Sequence, residues 1–402
     1  MSARPGETKK RRARQLPRLY WVLWAGTLVN RAGTMVQPFL AFYLTGDRGL
    51  PIAEAGLILT AFGLGSVLSP LPAGWLADRA GRRVTLTAAT LASGAAMVAL
   101  SRSTSPLALS ASMCGLGLTL DAWRPASTAL VADLVAPPLR PRAYGLLFWA
   151  SNLGFTGGVL VGGTLVQDHF ATAMWIDAAT SAAFGLLVWF ALPGSEPALT
   201  EPTSQITEKR GGFRDVLTDP VMARFTLVTF GYCLVYLQSL TTLPLAMRQA
   251  GLPPAAFSYA MAVNSAMIVF LQPWFSARLD RWDRSRTAAA GIALTGIGFG
   301  ATGLATSTAA FALTVAVWTI GEILVSAVGS AIALDLAPAH LRGHYSGLYG
   351  LAWSLATLLA PLLGTRLLSQ GGAVLWSACA ATALVAAVGQ LLLRPAVSAR
   401  SS

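Results

Sequence analysis

Charge is what this 402-residue chain has least of: 11% of its residues are charged, against 54% hydrophobic, and its mean hydropathy is +0.58. Soluble domains carry about 25% charge, so an ordinary water-soluble fold is excluded. Acids are scarcer still, 17 against 29 bases, which leaves a formal net charge of +12. Cysteine and histidine number three each. Cys114, Cys233 and Cys379 fall in three separate apolar runs without metal or redox spacing, as packing residues do. His169, His340 and His344 lie near expected helix ends, and no zinc, haem or triad pattern forms around them. With no nucleotide loop or nucleophile arrangement either, the sequence suggests neither an enzyme nor a cofactor.

Long apolar runs are what the chain has in excess. About 20 such residues cross a bilayer core. That ruler predicts twelve spans, at 19–44, 53–76, 84–101, 106–133, 143–167, 171–192, 221–247, 255–278, 287–305, 309–335, 344–368 and 372–393. Residues 1–18 form a basic tail in which six Lys and Arg through Arg14 face one acid, Glu7. No small-residue cleavage site follows it, so a removable leader is not expected. The stretch 193–220, rich in Pro, Ser, Thr and Glu, reads as a linker between bundles at 19–192 and 221–393, and 394–402 reads as a second tail.

Basic residues are distributed unevenly across these spans. If both termini are cytoplasmic, only Arg48, Arg102, Arg248 and Arg366 fall on the outer side, and Arg31 and Arg124 lie inside spans. The rest cluster on the cytoplasmic side. Such a bias sets orientation, so the positive charge implies a multi-pass protein of the cell membrane and not a nucleic-acid partner.

The chain also repeats itself at a constant offset. Asp78, Arg79 and Arg82 recur as Asp280, Arg281 and Arg284; Asp133 recurs as Asp335, Leu139-Arg140 as Leu341-Arg342, and Gly162 as Gly364. Charged and glycine positions match as well as apolar ones. Two six-helix halves of one build, in parallel orientation, are the simplest source.

The first hairpin, Gly74-Trp-Leu-Ala-Asp78-Arg-Ala-Gly81-Arg82-Arg83, resembles the signature that the major facilitator superfamily carries between its second and third helices, with every position filled. Gly74 lets a neighbouring helix come close, and Asp78 falls at a helix end. The resemblance implies an all-α membrane fold of two pseudo-symmetric bundles. It also implies a conformational latch on the cytoplasmic side, made of Gly74, Asp78, Arg82, Asp133, Asp280, Arg284 and Asp335, which breaks when the inside opens. Helix 5 carries Gly154, Gly158, Gly162 and Gly163 on one stripe, a close-packing device. It is similar to the fifth-helix motif of drug:proton antiporters, with Val159 where that motif has proline and Pro361 at the equivalent place in helix 11.

A charge at a helix centre costs about 2.5–3.5 kcal/mol on insertion scales and needs a reason to be there. Arg31, Asp121, Arg124 and Glu322 sit some 14–20 Å of helical rise from the cytoplasmic ends, near mid-depth. By resemblance, helices 1, 4, 7 and 10 line the central cavity. Glu322, with no opposite charge nearby on its own helix, is the first candidate for a proton-carrying carboxylate, and Asp121, paired with Arg124 at i and i+3, is the second. Asn30, Gln37, Tyr43, Asn152, Tyr232, Tyr236, Gln238, Asn264 and Trp318 are candidate cavity residues, along with Arg31 and Arg124. Trp21, Trp24, Trp75 and Trp376 read as interface anchors. The expectation is a monomeric, proton-coupled exporter of small organic or drug-like molecules. The alternative is an organic-anion or nutrient transporter of the same fold that uses Arg31 and Arg124 as an anion clamp.

Overall fold

The structure, a computed structural model, describes residues 16–120, 122–192, 216–279, 282–338 and 341–401. Asp121, Asp280 and most of the expected linker lie outside the described residues, as do the side chains of Asp78 and Arg124. Among the described residues the regular structure is helical throughout, without a strand. Lipid offers the backbone no hydrogen-bond partner, so an apolar run satisfies its own amides and carbonyls by coiling.

The helices are α1 (Arg18–Gly33), α2 (Ile52–Ala77) and α3 (Arg79–Arg102), and α4 in two pieces, Pro106–Leu120 and Trp123–Leu134. There follow α5 (Arg140–Leu165), α6 (Phe170–Ala191), α7 (Pro220–Tyr236) and α8 (Pro254–Leu279). The last four are α9 (Arg284–Thr302), α10 (Thr308–Asp335), α11 (Arg342–Gln370) and α12 (Gly372–Ser401). Among the described residues nine helices are long and apolar enough to cross a membrane; α1, the two-piece α4 and α9 are not among them.

The two halves break their helices at matching places. After α1 the chain runs through a 3-10 turn at Gln37–Phe39, a helical turn at Leu40–Phe42 and a π turn at Tyr43–Asp47. After α7 it continues as Gln238–Thr241 and Leu243–Gln249. Proline, Pro38 or Pro244, stands in each broken stretch, where its missing N–H leaves the helical ladder incomplete. The glycine stripe of α5 seats itself on α1: a Cβ on Gly158 would come 2.5 Å from the Ala32 carbonyl oxygen.

The two hairpins, though related by the repeat, turn by different means. Gly81, in the first turn of α3, takes φ 81° and makes the kink that separates α2 from the rest of α3, a conformation that favours glycine. Asp283 stands at the matching place, caps α9 by accepting the Arg286 amide at 2.8 Å, and pairs with Arg394 at 2.8 Å. The guanidinium of Arg394 outweighs the burial of Asp283 and lowers its carboxyl below the usual carboxylate range. With Arg394 and Arg400 both held by acids, residues 394–401, expected as a tail, continue α12 to Ser401.

Asp219 is the second of those acids. It caps α7 by accepting the Val221 amide at 2.9 Å, takes the Tyr345 hydroxyl of α11 at 2.6 Å, and receives Arg400 of α12 through both oxygens. Arg400 also reaches the Leu336 carbonyl at the end of α10. Burial opposes the charge, but Arg400, Tyr345 and the two amides more than offset it and hold the carboxyl down to about 2. A depressed carboxylate stabilises the fold above its unfolded pKa, and the contribution is lost as pH falls through the folded value. Asp219→Asn is therefore expected to cost about 2 kcal/mol at neutral pH and to flatten the loss of stability between the usual carboxylate range and about pH 2. Melting of the detergent-purified protein across that pH range checks it; parallel curves for mutant and wild type would refute it.

Candidate functional site

The halves meet on the side remote from the first turn of α1 and the last turn of α12. Arg248 donates to Thr45 at 2.7 Å, and the Phe39 and Phe257 rings meet edge to face at 5.6 Å. Deeper in, α2 lies backbone to backbone on α11: a Cβ on Gly63 would come 2.6 Å from the Leu358 Cα. Below this seam a cavity of about 730 Å³ extends toward the tail side, from Arg31 and Gln37 to Thr128, Tyr144, Gln272 and Ser326. A smaller hollow of about 240 Å³ between α5 and α8 adjoins it, sharing Phe148, Asn152, Ile268 and Gln272.

Glu322 sits in the cavity wall, on α10. Its Oε1 accepts the Tyr236 hydroxyl at 2.7 Å and its Oε2 accepts the Asn264 amide at 2.7 Å. Asn264 also donates to Thr319 at 3.0 Å, one turn before the glutamate on the same face of α10. Three helices, α7, α8 and α10, thus converge on one carboxylate. Tyr236 is fixed in turn, stacked on Tyr232 at 5.9 Å and edge-on to Trp353 at 5.7 Å and Trp318 at 6.1 Å.

Arg31 lines the wall of the other half, with its guanidinium 5.5 Å from the centre of the Phe155 ring. Behind it, on α6, lies Asp177, 1% exposed and close enough to act on Arg31 electrostatically, with the Val36 amide and the Ser181 hydroxyl also facing it. Its Oδ2 has no hydrogen-bond partner. The sequence reading passed over Asp177; the signal was there, a single acid inside the run Met174-Trp-Ile-Asp-Ala-Ala.

The structure brings together Arg31, Gln37, Asn152, Tyr236, Asn264 and Glu322 around the cavity. It places other candidates behind the wall. Asn30 is buried and donates to Ser181 at 3.1 Å. Tyr232 stands behind Tyr236, and Trp318 is buried on Phe299, their rings stacked at 5.4 Å. Gln238 is spent at the break after α7, donating to Leu234 and Ala360 and accepting from Thr241 and Thr242. Tyr43 lies toward the seam, its hydroxyl accepting from Arg48 at 2.7 Å. Trp376, expected at the interface, is 3% exposed and stacks on Phe299 at 6.1 Å.

Among the expected latch residues, Arg82 pairs with Asp133 and Arg284 with Asp335. These are repeat-related contacts that join α3 to α4 and α9 to α10. Each stays within its own half and is formed while the cavity reaches the tail side. A Cβ added to Gly74 would meet nothing within 4 Å, and the same holds for Gly145 and Gly347 near the tail-side ends of α5 and α11.

The family model of the Major Facilitator Superfamily matches residues 23–361 and 230–402, so the chain belongs to that superfamily of transporters. It is 28% identical over 337 residues to the multidrug resistance protein MdtH of Yersinia pestis (strain Pestoides F), covering 82% of this chain and 81% of that one. The MdtH of Yersinia pseudotuberculosis (strain IP32953) matches to the same degree, 28% over 337 residues with 82% and 81% covered. Among solved structures the chain is similar to a POT peptide transporter in complex with sulfate, with TM-score 0.79, 18% identity and 96% of both chains covered. A mutant of the nucleoside transporter NupG aligns with TM-score 0.75 at 14% identity, over 96% of this chain and 100% of that one. At such identities these two speak for the fold alone.

Proposed function

We propose that the protein is a proton-coupled exporter of small organic, drug-like molecules, working by alternating access as a monomer with twelve spans and both termini cytoplasmic. The observation that carries this is Glu322, a carboxylate held in the cavity wall by two neutral donors, a phenol and an amide. Neutral donors hold the group in place without fixing its charge, so a proton can load and leave. The likeness to MdtH proteins, named for multidrug resistance, supports the cargo class. A rigid seam on the outer side and open glycine faces on the tail side fit an inward-open state. On this reading Gly74, with the ion pairs around Asp133 and Asp335, belongs to the surface that closes when the outer side opens, and residues 193–220 link the halves.

The test uses everted membrane vesicles that hold a proton gradient. Adding a lipophilic cationic dye such as ethidium is expected to alkalinise the lumen in vesicles with the protein and not in those without it. The second reading, an organic-anion carrier, is favoured by the position of Arg31 in the same wall. It predicts no response to the dye and inhibition by organic anions that vanishes in Arg31→Ala.

A further inference from the structure

A second large hollow lies away from the central cavity. It is a groove of about 760 Å³ between α7 and α12. Small residues make its floor, with Gly231 of α7 against Ala386 and Gly389 of α12, where a Cβ on Gly389 would come 3.0 Å from Val228. Its rims are Leu227, Val385 and Leu392, which are 68%, 73% and 77% exposed. Both helices are long and apolar enough to cross a membrane, so such rims face acyl chains and not water. The groove is charged at one end only. Arg224, in the second turn of α7, is the charged residue among those described that line it.

Length and charge say what fits there. The groove follows α7 from Arg224 to Leu234 and α12 from Leu393 back to Ala381, roughly 15–18 Å of helical rise. One leaflet of the hydrocarbon core is about 15 Å deep. The groove therefore runs from headgroup depth on the tail side to the middle of the bilayer. At its headgroup end the nearby acids are already taken. Asp219 gives both oxygens to Arg400, and Asp283 is held by Arg394 of α12. Among the described residues no acid pairs with Arg224. A second copy docking through the same face would bring another arginine to that depth with no acid to receive it, and a lipophilic cation would meet like charge. A phosphate with an acyl chain satisfies both ends, as basic pockets between membrane helices do for anionic headgroups. Going beyond the exporter reading and independent of it, we propose that this groove binds one anionic phospholipid of the tail-side leaflet, with its phosphate on Arg224 and an acyl chain laid between α7 and α12.

Native mass spectrometry of the detergent-purified full chain, titrated with phosphatidylglycerol and with phosphatidylcholine of the same chains, tests it. Phosphatidylglycerol is expected to bind about fivefold tighter, the weight of one arginine at a membrane surface. Arg224→Gln should erase that preference and leave the weaker binding of the chains. Ala381→Trp, which fills the groove's inner end, should weaken both lipids. Arg342→Gln, an exposed arginine at the start of α11, should change neither. Equal binding of the two lipids by the wild-type protein overturns the proposal and needs no variant to fold. So does a preference that survives Arg224→Gln, or one lost as fully in Arg342→Gln, which would mark a diffuse surface charge. A two-copy mass that Ala381→Trp returns to one copy would assign the groove to a second chain and overturn it as well. The readout involves no transport, so failure of the dye assay leaves this site standing, and failure here leaves the exporter reading standing.

Discussion

Glu322→Gln is expected to abolish uphill transport while leaving downhill exchange of labelled cargo within about twofold of wild type. One proton moving down 100 mV supplies about 2.3 kcal/mol, which sustains an accumulation ratio of about fiftyfold for each charge coupled. Glutamine keeps the shape of the side chain: its Oε1 can accept from the Asn264 amide and its own NH2 can donate to the Tyr236 oxygen, the two partners that lie 2.7 Å from the carboxylate oxygens. It cannot load or release a proton. The ratio should therefore collapse to one in proteoliposomes with an imposed gradient, while exchange without a gradient persists. If the mutant still concentrates its cargo, the coupling carboxylate lies elsewhere.

Gly63→Leu is expected to lower transport by about a hundredfold in protein that folds and inserts normally. A Cβ at this position would stand 2.6 Å from both the Leu358 Cα and the Thr357 carbonyl oxygen, so α11 must draw back from α2. Overpacking inside one bundle costs stability, typically about 1–3 kcal/mol. Here the clash falls between halves, and the halves can relieve it by parting on the side remote from the tails. The mutant should therefore populate a state open on that side. Labelling of Ser326→Cys, on the cavity wall, by a membrane-impermeant thiol reagent should fall when the reagent is on the tail side and rise from the other side. Unchanged labelling from both sides would show that this contact does not hold that seam shut.

Depth was legible from the sequence, and rotation was not. Counting rise along α1 and α10 put Arg31 and Glu322 near one height, and both line the same cavity. Tyr232, Gln238 and Trp318 were candidates because aromatics and amides around those charges suit an organic cargo, yet they are buried in the packed interior of their half. A membrane helix is apolar toward its protein neighbours and toward lipid alike, so its pattern carries little of the 3.6-residue signal that tells a soluble helix which face is inside. The partners of Glu322 were beyond reach for a second reason: Tyr236 and Asn264 come from two other helices, and no spacing along the chain announces that convergence. Asp177 was missed because a lone acid in α6, outside the helices expected to line the cavity, looked like one more residue of an apolar run.

The contacts of Asp219 have a consequence for how the molecule moves. One carboxylate at the membrane's edge gathers the start of α7, the start of α11 and the end of α12, with Arg400 reaching on to α10. A bundle buttoned at that corner cannot fan its helices apart one at a time. On the alternating-access reading proposed above, a change at Glu322 in the depth of the bilayer would pass to the whole half as a single tilting block, with the bending left to the interrupted stretches after α1 and α7.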